Sequence, residues 1–463
     1  MSLPAGFGGG GGAYGGTKGD KGLALPLLET IRLSWADPEL RQRITFVLMM
    51  FAVFTLGVHI PVPVPGLSSS DVMKSLEDNQ ALTLLNSMSG GALRRLSIFA
   101  LGLNPYITSS IIMQILYTAV PQWKKELQEG GEYARKQQNK KTRGLMIGLC
   151  LIQGWGLLQL LKKYAPPIAA LTWQQDAVII LFWMTGAMFV LWIGEQISEK
   201  GIGNGVSLMI FAGIILSLPT QAETLVSNYH KGQIQWYSFV LLAVIFLVTT
   251  WIIVYFTTAQ RRIPIQHMRR MVGTRMMGGQ TSYLPLSVNM AGVMPIIFAV
   301  SLVGLPYQFS VMARGNQTPL GRFLLGLAEY LNPSSPEVFK AFIGSVLYTV
   351  LIFFFTYFWT AIQYNVEDIS NNLKRGGSFI PGVRPGKQTK DFLDGVISRI
   401  TIVGAGFISV VALVQWLAPR LALIPSGIRI SVIGGTTLLI MVSVALETMR
   451  QIEANLLMKQ YGN

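Results

Sequence analysis

The chain has 463 residues, 51% of them hydrophobic and only 13% charged, with a mean hydropathy of +0.46. Ordinary soluble domains carry about 25% charged residues, so a soluble globular fold is excluded. The single cysteine, Cys150, excludes an internal disulfide and any cysteine-based metal cage. The formal charge of +15 would suit a nucleic-acid partner, but its distribution along the chain points to membrane topology instead.

Residues 1–22 are Gly-rich, lack an apolar signal-peptide core and are predicted to be a disordered tail. Residues 23–43 mix apolar and charged positions and are predicted to form an amphipathic cytoplasmic helix at the membrane interface. Ten apolar runs follow, at about 44–61, 104–120, 144–161, 177–194, 205–219, 238–257, 286–304, 341–363, 401–417 and 430–446. A bilayer core of about 30 Å needs about 20 apolar residues per helix. The pattern therefore predicts an all-α integral membrane protein with ten transmembrane helices. Apart from Tyr and Cys150, the only titratable side chain in these runs is His59, at the end of the first. Pumps place ionisable groups at the midplane, and their absence argues against a proton relay.

With the N-terminus in the cytoplasm, the cytoplasmic segments hold 26 of the 37 Lys and Arg residues and 15 of the 22 acidic ones. Net charge is then +11 inside and +4 outside, the positive-inside bias, so both termini are expected in the cytoplasm. The basic residues also suit anionic lipid.

Between the first two spans, residues 62–103 are too long for a tight turn and too broken to cross. Pro61, Pro63 and Pro65 stop the first helix, Leu84, Leu85 and Met88 give a short apolar face, and Gly90 and Gly91 interrupt it. Arg94 and Arg95 then lie on the outer side, before a second apolar stretch. Both a re-entrant segment shielded by protein and an ordinary external loop helix fit this pattern.

Two cytoplasmic loops stand out. Loop 258–285 holds five Arg residues and no acid; loop 364–400 is basic and punctuated by Pro381-Gly382 and Pro385-Gly386. Rigid turns in long basic loops suit docking to an acidic or nucleic-acid surface. Five spans per half force the second half to enter from the opposite face, the arithmetic of inverted repeats with a pathway between them. The expected domains are thus residues 44–219, an external hinge at 220–237, residues 238–446, and a cytoplasmic tail at 447–463.

Catalysis finds little support. The three histidines, His59, His230 and His267, lie at span ends or in loops, and no HExxH or Walker A motif is present. The stretch Gly201-Ile202-Gly203-Asn204-Gly205 resembles a phosphate loop but lacks the lysine, and reads better as a tight interhelical turn. No enzyme activity and no cofactor are expected.

Four strings carry a resemblance: SGGALRRLSIFALGLNPYITSSII (89–112), GEQISEKGIGNGVSLMIFAGI (194–214), NMAGVMPIIFA (289–299) and FIPGVRPGKQT (379–389). In order and spacing they look like the bacterial SecY family, the central subunit of the protein-conducting channel, over about residues 27–460. Two departures are visible: Thr55 stands where the family usually has Arg, and Pro61 to Gly66 looks two residues longer.

The resemblance implies two inverted five-helix halves, a passive channel for unfolded polypeptides in the bacterial inner membrane, and a plug at 62–103 that includes Leu84, Leu85, Met88, Ser89, Gly90, Gly91 and Arg94. It implies a pore ring of Ile107, Ile111, Ile210, Ile297 and Ile440. A lateral gate between the second and seventh spans would use Thr108, Ser109, Ser110 and Asn289. Arg261, Arg262, Lys374, Arg375 and above all Arg384 would dock the SecA motor or the ribosome, whose RNA would be met through phosphates. Implied partners are SecE and SecG as small membrane subunits, signal sequences and nascent chains. Taken singly, each isoleucine also suits helix packing, and each gate residue suits bonding within its own helix. A small-solute transporter and a membrane scaffold are the competing readings.

Overall fold

The computed structural model describes residues 27–63, 86, 89–123, 126, 130–164, 171–267, 270–272, 275–277, 281–312, 318–331, 333, 337–422 and 434–462. The Gly-rich tail and the plug residues Leu84, Leu85 and Met88 lie outside the described residues. Leu27–Ala36 forms α1 and Pro38–Val58 forms α2. The helix expected over 23–43 is therefore broken at Asp37. Its carboxylate accepts from the amides of Glu39 (2.9 Å) and Leu40 (3.4 Å), and Pro38 occupies the first turn, where no amide donor is needed.

The chain continues through α3 (Asn104–Ala119), α4 (Gly131–Tyr164), α5 (Trp173–Lys200), α6 (Gly205–His230) and α7 (Trp236–Thr258). Four strands follow: β1 (Gln260–His267), β2 (Arg270–Val272), β3 (Arg275–Met277) and β4 (Thr281–Ser287). Then come α8 (Met294–Met312), α9 (Pro319–Leu331), α10 (Val338–Gln363), α11 (Val366–Arg375), β5 (Ser378–Phe379), α12 (Lys387–Leu421) and α13 (Gly435–Gly462). Among the described residues six segments are long and apolar enough to cross a membrane by themselves; they lie on α2, α5, α6, α7, α10 with α11, and α12. The other four expected runs fall on α3, α4, α8 and α13. The 16 residues of α3 rise only about 24 Å, short of the hydrocarbon thickness.

Within the first half α3 packs on α4, α4 on α5, α5 on α6, and α2 on both α5 and α6. Within the second, α8 packs on α10, α10 on α12, α12 on α13, and α7 on both α12 and α13. The halves meet along two seams, α3 and α4 against α8, and α6 against α13.

Most of the 220–237 region, the expected external hinge, is helical. α6 runs on to His230, leaving only residues 231–235 as the connection. The polar residues there sustain the helix because Thr220, Thr224 and Asn228 donate to the carbonyls of Ser217, Thr220 and Thr224, so the side chains remain bonded locally. Likewise α13 continues through residues 447–462 as helix.

Non-helical backbone at 89–103 is clamped between spans. Phe99 is fully buried and stacks on Phe54 at 5.8 Å and on Phe189 at 6.1 Å. Room for it depends on glycine: a Cβ on Gly57 would fall 2.0 Å from the Phe99 ring, and one on Gly186 would fall 1.9 Å from the Ile98 carbonyl oxygen. Backbone bonds from Val62 to Leu96 (2.9 Å) and from Ile98 to Ile60 (3.1 Å) tie the segment to the end of α2.

The 201–205 stretch is the tight turn its glycines suggested. Gly203 has φ +92°, and Asn204 caps α6 by accepting from the amides of Val206 and Ser207. The turn presses α6 onto α5 so closely that a Cβ on Gly205 would lie 1.7 Å from the Gly194 carbonyl oxygen. Overpacking of this kind costs about 1–3 kcal/mol, and a backbone oxygen cannot rotate away. Gly205→Ala is therefore expected to lower the thermal midpoint of the detergent-solubilised protein. Gly148→Ala, with no atom within 4 Å, is expected to leave it unchanged or raise it; a fluorescence-detected melting series checks both.

Candidate functional site: a closed ring and a paired loop platform

Each of the two seams contributes to one cavity. Ile107 of α3 and Ile297 of α8 come from the first seam, Ile210 of α6 and Ile440 of α13 from the second, and all four line it. The fifth ring candidate, Ile111, lies one turn further along α3. It is buried in the same apolar core but is not part of the cavity wall. The cavity measures about 40 Å³, room for a few water molecules. The cavity is too small for an extended polypeptide. Aliphatic walls of this kind resist wetting without a charged filter.

The wall also holds uncharged polar residues that sequence reasoning did not single out. Asn104 donates to the Gln153 side-chain oxygen at 3.2 Å, joining α3 to α4, and Thr436 donates to Gln415, joining α13 to α12. The available signal was an amide or hydroxyl within an apolar run, where such groups bond across helices. Gln153 keeps its Nε2 buried and without a partner at this cavity.

Of the plug candidates, Ser89 lines the cavity and donates to the Asn86 carbonyl at 3.0 Å. Gly90 (φ +73°) lies where a Cβ would come within 3.3 Å of Leu216 and 3.5 Å of Gly213, both on α6. Gly91 has φ +81°, and the Arg94 amide donates to the Asn86 side chain at 2.9 Å.

The gate candidates divide. α3 and α8 do touch, but Thr108 and Ser109 donate to the Asn104 and Tyr106 carbonyls of their own helix, and Ser110 accepts from Gln114. Asn289 lies outside the cavity wall, buried in the bend before α8, with both side-chain amide atoms unpartnered. A buried orphan group costs about 1–3 kcal/mol.

The docking candidates gather on the two loops, which fold together. β1 pairs antiparallel with β4 and, through Gln266↔Phe379 and His267↔Ser378, with β5, giving the order β4-β1-β5. Ile263, Leu286, Val366, Ile380 and Leu393 form a core beneath this sheet. Arg261 and Arg262 on β1, Lys374 and Arg375 at the end of α11, and Arg384 are all exposed. Arg384 sits in a turn framed by Gly382 (φ +82°) and Gly386 (φ +101°). Its carbonyl accepts from the Thr389 hydroxyl and that of Gly386 from the Ser370 hydroxyl, both at 2.9 Å. Lys390 donates to Glu367 at 3.0 Å, a bond that raises the lysine pKa and keeps it charged.

The SecY family profile matches residues 97–449. The chain belongs to the SecY family. It is 37% identical to the protein translocase subunit SecY of Staphylococcus aureus strain NCTC 8325, over 94% of this chain and 99% of that one. It is 36% identical to the same subunit of Staphylococcus epidermidis, with the same coverage. Its fold is similar to a solved protein-conducting channel (TM-score 0.65, 15% identity, 93% and 98% of the two chains). It is also similar to Sec61 in the canine ribosome-channel complex (TM-score 0.62, 14% identity, 93% and 98%). SecY-family proteins are membrane-embedded channel subunits, not enzymes, and the ten helices in two halves are the fold of that family.

The Asn289 geometry is testable. Asn289→Leu removes both orphan groups at nearly constant volume and is expected to stabilise the protein by about 1–2 kcal/mol. A higher thermal midpoint checks it; a lower one would mean that the amide is satisfied where this chain works.

Proposed function

We propose that this chain is the pore subunit of a Sec translocon, a passive channel that conducts unfolded polypeptides across the membrane and releases apolar segments sideways into lipid. The observation that carries this reading is one small cavity whose wall draws isoleucines from four seam helices of both halves: Ile107, Ile210, Ile296 with Ile297, and Ile440. Parting the seams widens the ring without breaking either half. Because the ring offers no fixed hydrogen-bond geometry, it accommodates side chains of every class. Segment 89–103 lines the cavity with Ser89, Leu101, Gly102 and Leu103 and serves as the described part of the plug.

Sideways release would use the α3–α8 seam, with Thr108, Ser109, Ser110 and Asn289 beside it. Hydrocarbon takes up Leu, Ile, Phe and Val with roughly −0.3 to −0.6 kcal/mol each, so a long apolar segment leaves once the seam parts. The sheet-linked loops carrying Arg261, Arg262, Lys374, Arg375 and Arg384 form the cytoplasmic platform for the SecA motor or the translating ribosome. Energy comes from those partners, and SecE- and SecG-type subunits complete the channel. The positive-inside bias supports cytoplasmic termini and a bacterial inner-membrane location.

The direct experiment crosslinks a stalled precursor in proteoliposomes containing this chain, SecE, SecA and ATP, with photoreactive probes at Ile107 and Ile297. Adducts at both positions that vanish without SecA or ATP are expected. Translocation with adducts at neither would remove the ring from the pathway. Ile297→Asn and Ile440→Asn are expected to wet the ring, raising ion leak several-fold and relaxing signal-sequence selectivity in conductance and export assays. Arg384→Glu is expected to reduce SecA-driven export about tenfold or more, the equivalent of about 1.4 kcal/mol of docking energy. Membrane insertion of the channel should stay intact, as pulse-labelled precursor and fractionation would read.

A further inference from the structure

α9 lies between two spans and has no role in the ring or the platform. Its 13 residues present three distinct sides. Gly321 and Ala328, seven residues apart, are buried, and the helix packs on both α8 and α10. Leu320, Phe323, Leu327 and Tyr330 recur every third or fourth residue as a stripe on a second side, exposed at 63%, 68%, 41% and 44%. Arg322 and Glu329 occupy the remaining side. A helix at a protein surface in water needs two sides, one packed and one polar. A third, apolar side with large residues calls for another apolar phase.

The neighbours say which phase. α10 is a membrane span, and its own outward stripe of Phe339, Phe342, Val346 and Val350 is exposed beside α9. At the same end of the bundle, Trp173 opens α5 and Trp236 opens α7, both well exposed, as in an aromatic belt at a membrane–water boundary. The polar side is fixed at that boundary too. Lys340, just before the apolar part of α10, bonds Glu329 of α9 at 3.2 Å and Glu337 at 2.9 Å, and its ammonium sits 5.8 Å from the Tyr330 ring centre. This ion triad marks the aqueous level, with the apolar stripes of α9 and α10 next to it.

We propose that α9 is a membrane-interface anchor: it lies in the headgroup region with Leu320, Phe323 and Leu327 in the acyl chains and Arg322 in water. The occupant of its apolar side is the bilayer. The anchor holds the far end of α8, which supplies Ile297 to the ring and carries Pro306 within its helix. The inference goes beyond the channel reading and does not depend on it.

The test places single cysteines, each spin-labelled, at Leu320, Phe323, Leu327 and Arg322 in a Cys150→Ser background. The protein is reconstituted in phosphatidylethanolamine–phosphatidylglycerol vesicles, and collision rates with oxygen and with a water-soluble nickel chelate are measured. The three stripe positions are expected to favour oxygen several-fold over the Arg322 position, which favours nickel. Nickel access along the stripe would overturn the proposal by placing it in water. Shielding of the stripe from both reagents would overturn it in favour of a protein neighbour or a second copy. Because all four side chains are exposed, gel filtration and a melting curve of each labelled protein suffice to show that it is folded.

Discussion

No backbone amide or carbonyl can be left unbonded in hydrocarbon, and this one constraint shapes the non-helical backbone inside the bundle. Residues 89–103 cross no membrane, yet they run as turns through the middle of a helical bundle. Such backbone survives only when protein surrounds it. The glycines Gly57 and Gly186 let it approach so closely that no water layer intervenes, and Phe99 fills the remaining space between α2 and α5. Its amides find carbonyls of the same segment, of Ile60 or of Asn86, or the side-chain oxygens of Asn86 and Ser97. Leu96, buried with φ +45°, is a non-glycine residue in the left-handed region, held there by bonds on either side.

The same constraint explains how the barrier is built. A charged constriction would favour one class of passing side chain and repel another, and it would need compensation inside the bilayer. An aliphatic one needs nothing but contact. The polar groups beside it, Asn104 with Gln153 and Thr436 with Gln415, are bonded to each other within a half. Each half is thus fastened internally by directional bonds, while isoleucines from both halves face the shared cavity between them. Separation along a seam breaks contacts that any incoming apolar surface can replace.

Much of this was readable from the sequence because hydrophobic length is a strong signal. The ten apolar runs match ten helices, and Asn204 with its flanking glycines announced the turn before α6. Other features were hidden by local chemistry. Thr220, Thr224 and Asn228 bond back along α6, a local pairing that residue type alone does not announce. The short alternation of Ile263 and Ile265 was masked by Pro264, a residue that argues against a strand interior; it is tolerated because β5 covers β1 only from Gln266 onward. The ring positions were not visible in periodicity at all. Isoleucine on an apolar helix is ordinary, and only the family resemblance separated Ile107, Ile210, Ile297 and Ile440 from their neighbours. Ile111, which the resemblance places with them, packs one turn away from the cavity that these four line.

The sheet shared by the two loops has a mechanical consequence. β5 belongs to the connection between α10 and α12, whereas β1 and β4 bridge α7 and α8. At the root of that bridge the Val288 amide donates to the Ala259 carbonyl at 2.9 Å, and Gly404 of α12 sits so near the Val288 carbonyl oxygen that a Cβ would lie 2.7 Å from it. Two loops joined by flexible tethers would absorb a push by bending. Hydrogen-bonded strands over an apolar core are stiff along their length, so a load applied near Arg384 travels through β5, β1 and β4 to the base of α8 with little slack. The surface that carries Arg384 and the helix that supplies Ile297 are in this sense two ends of one lever.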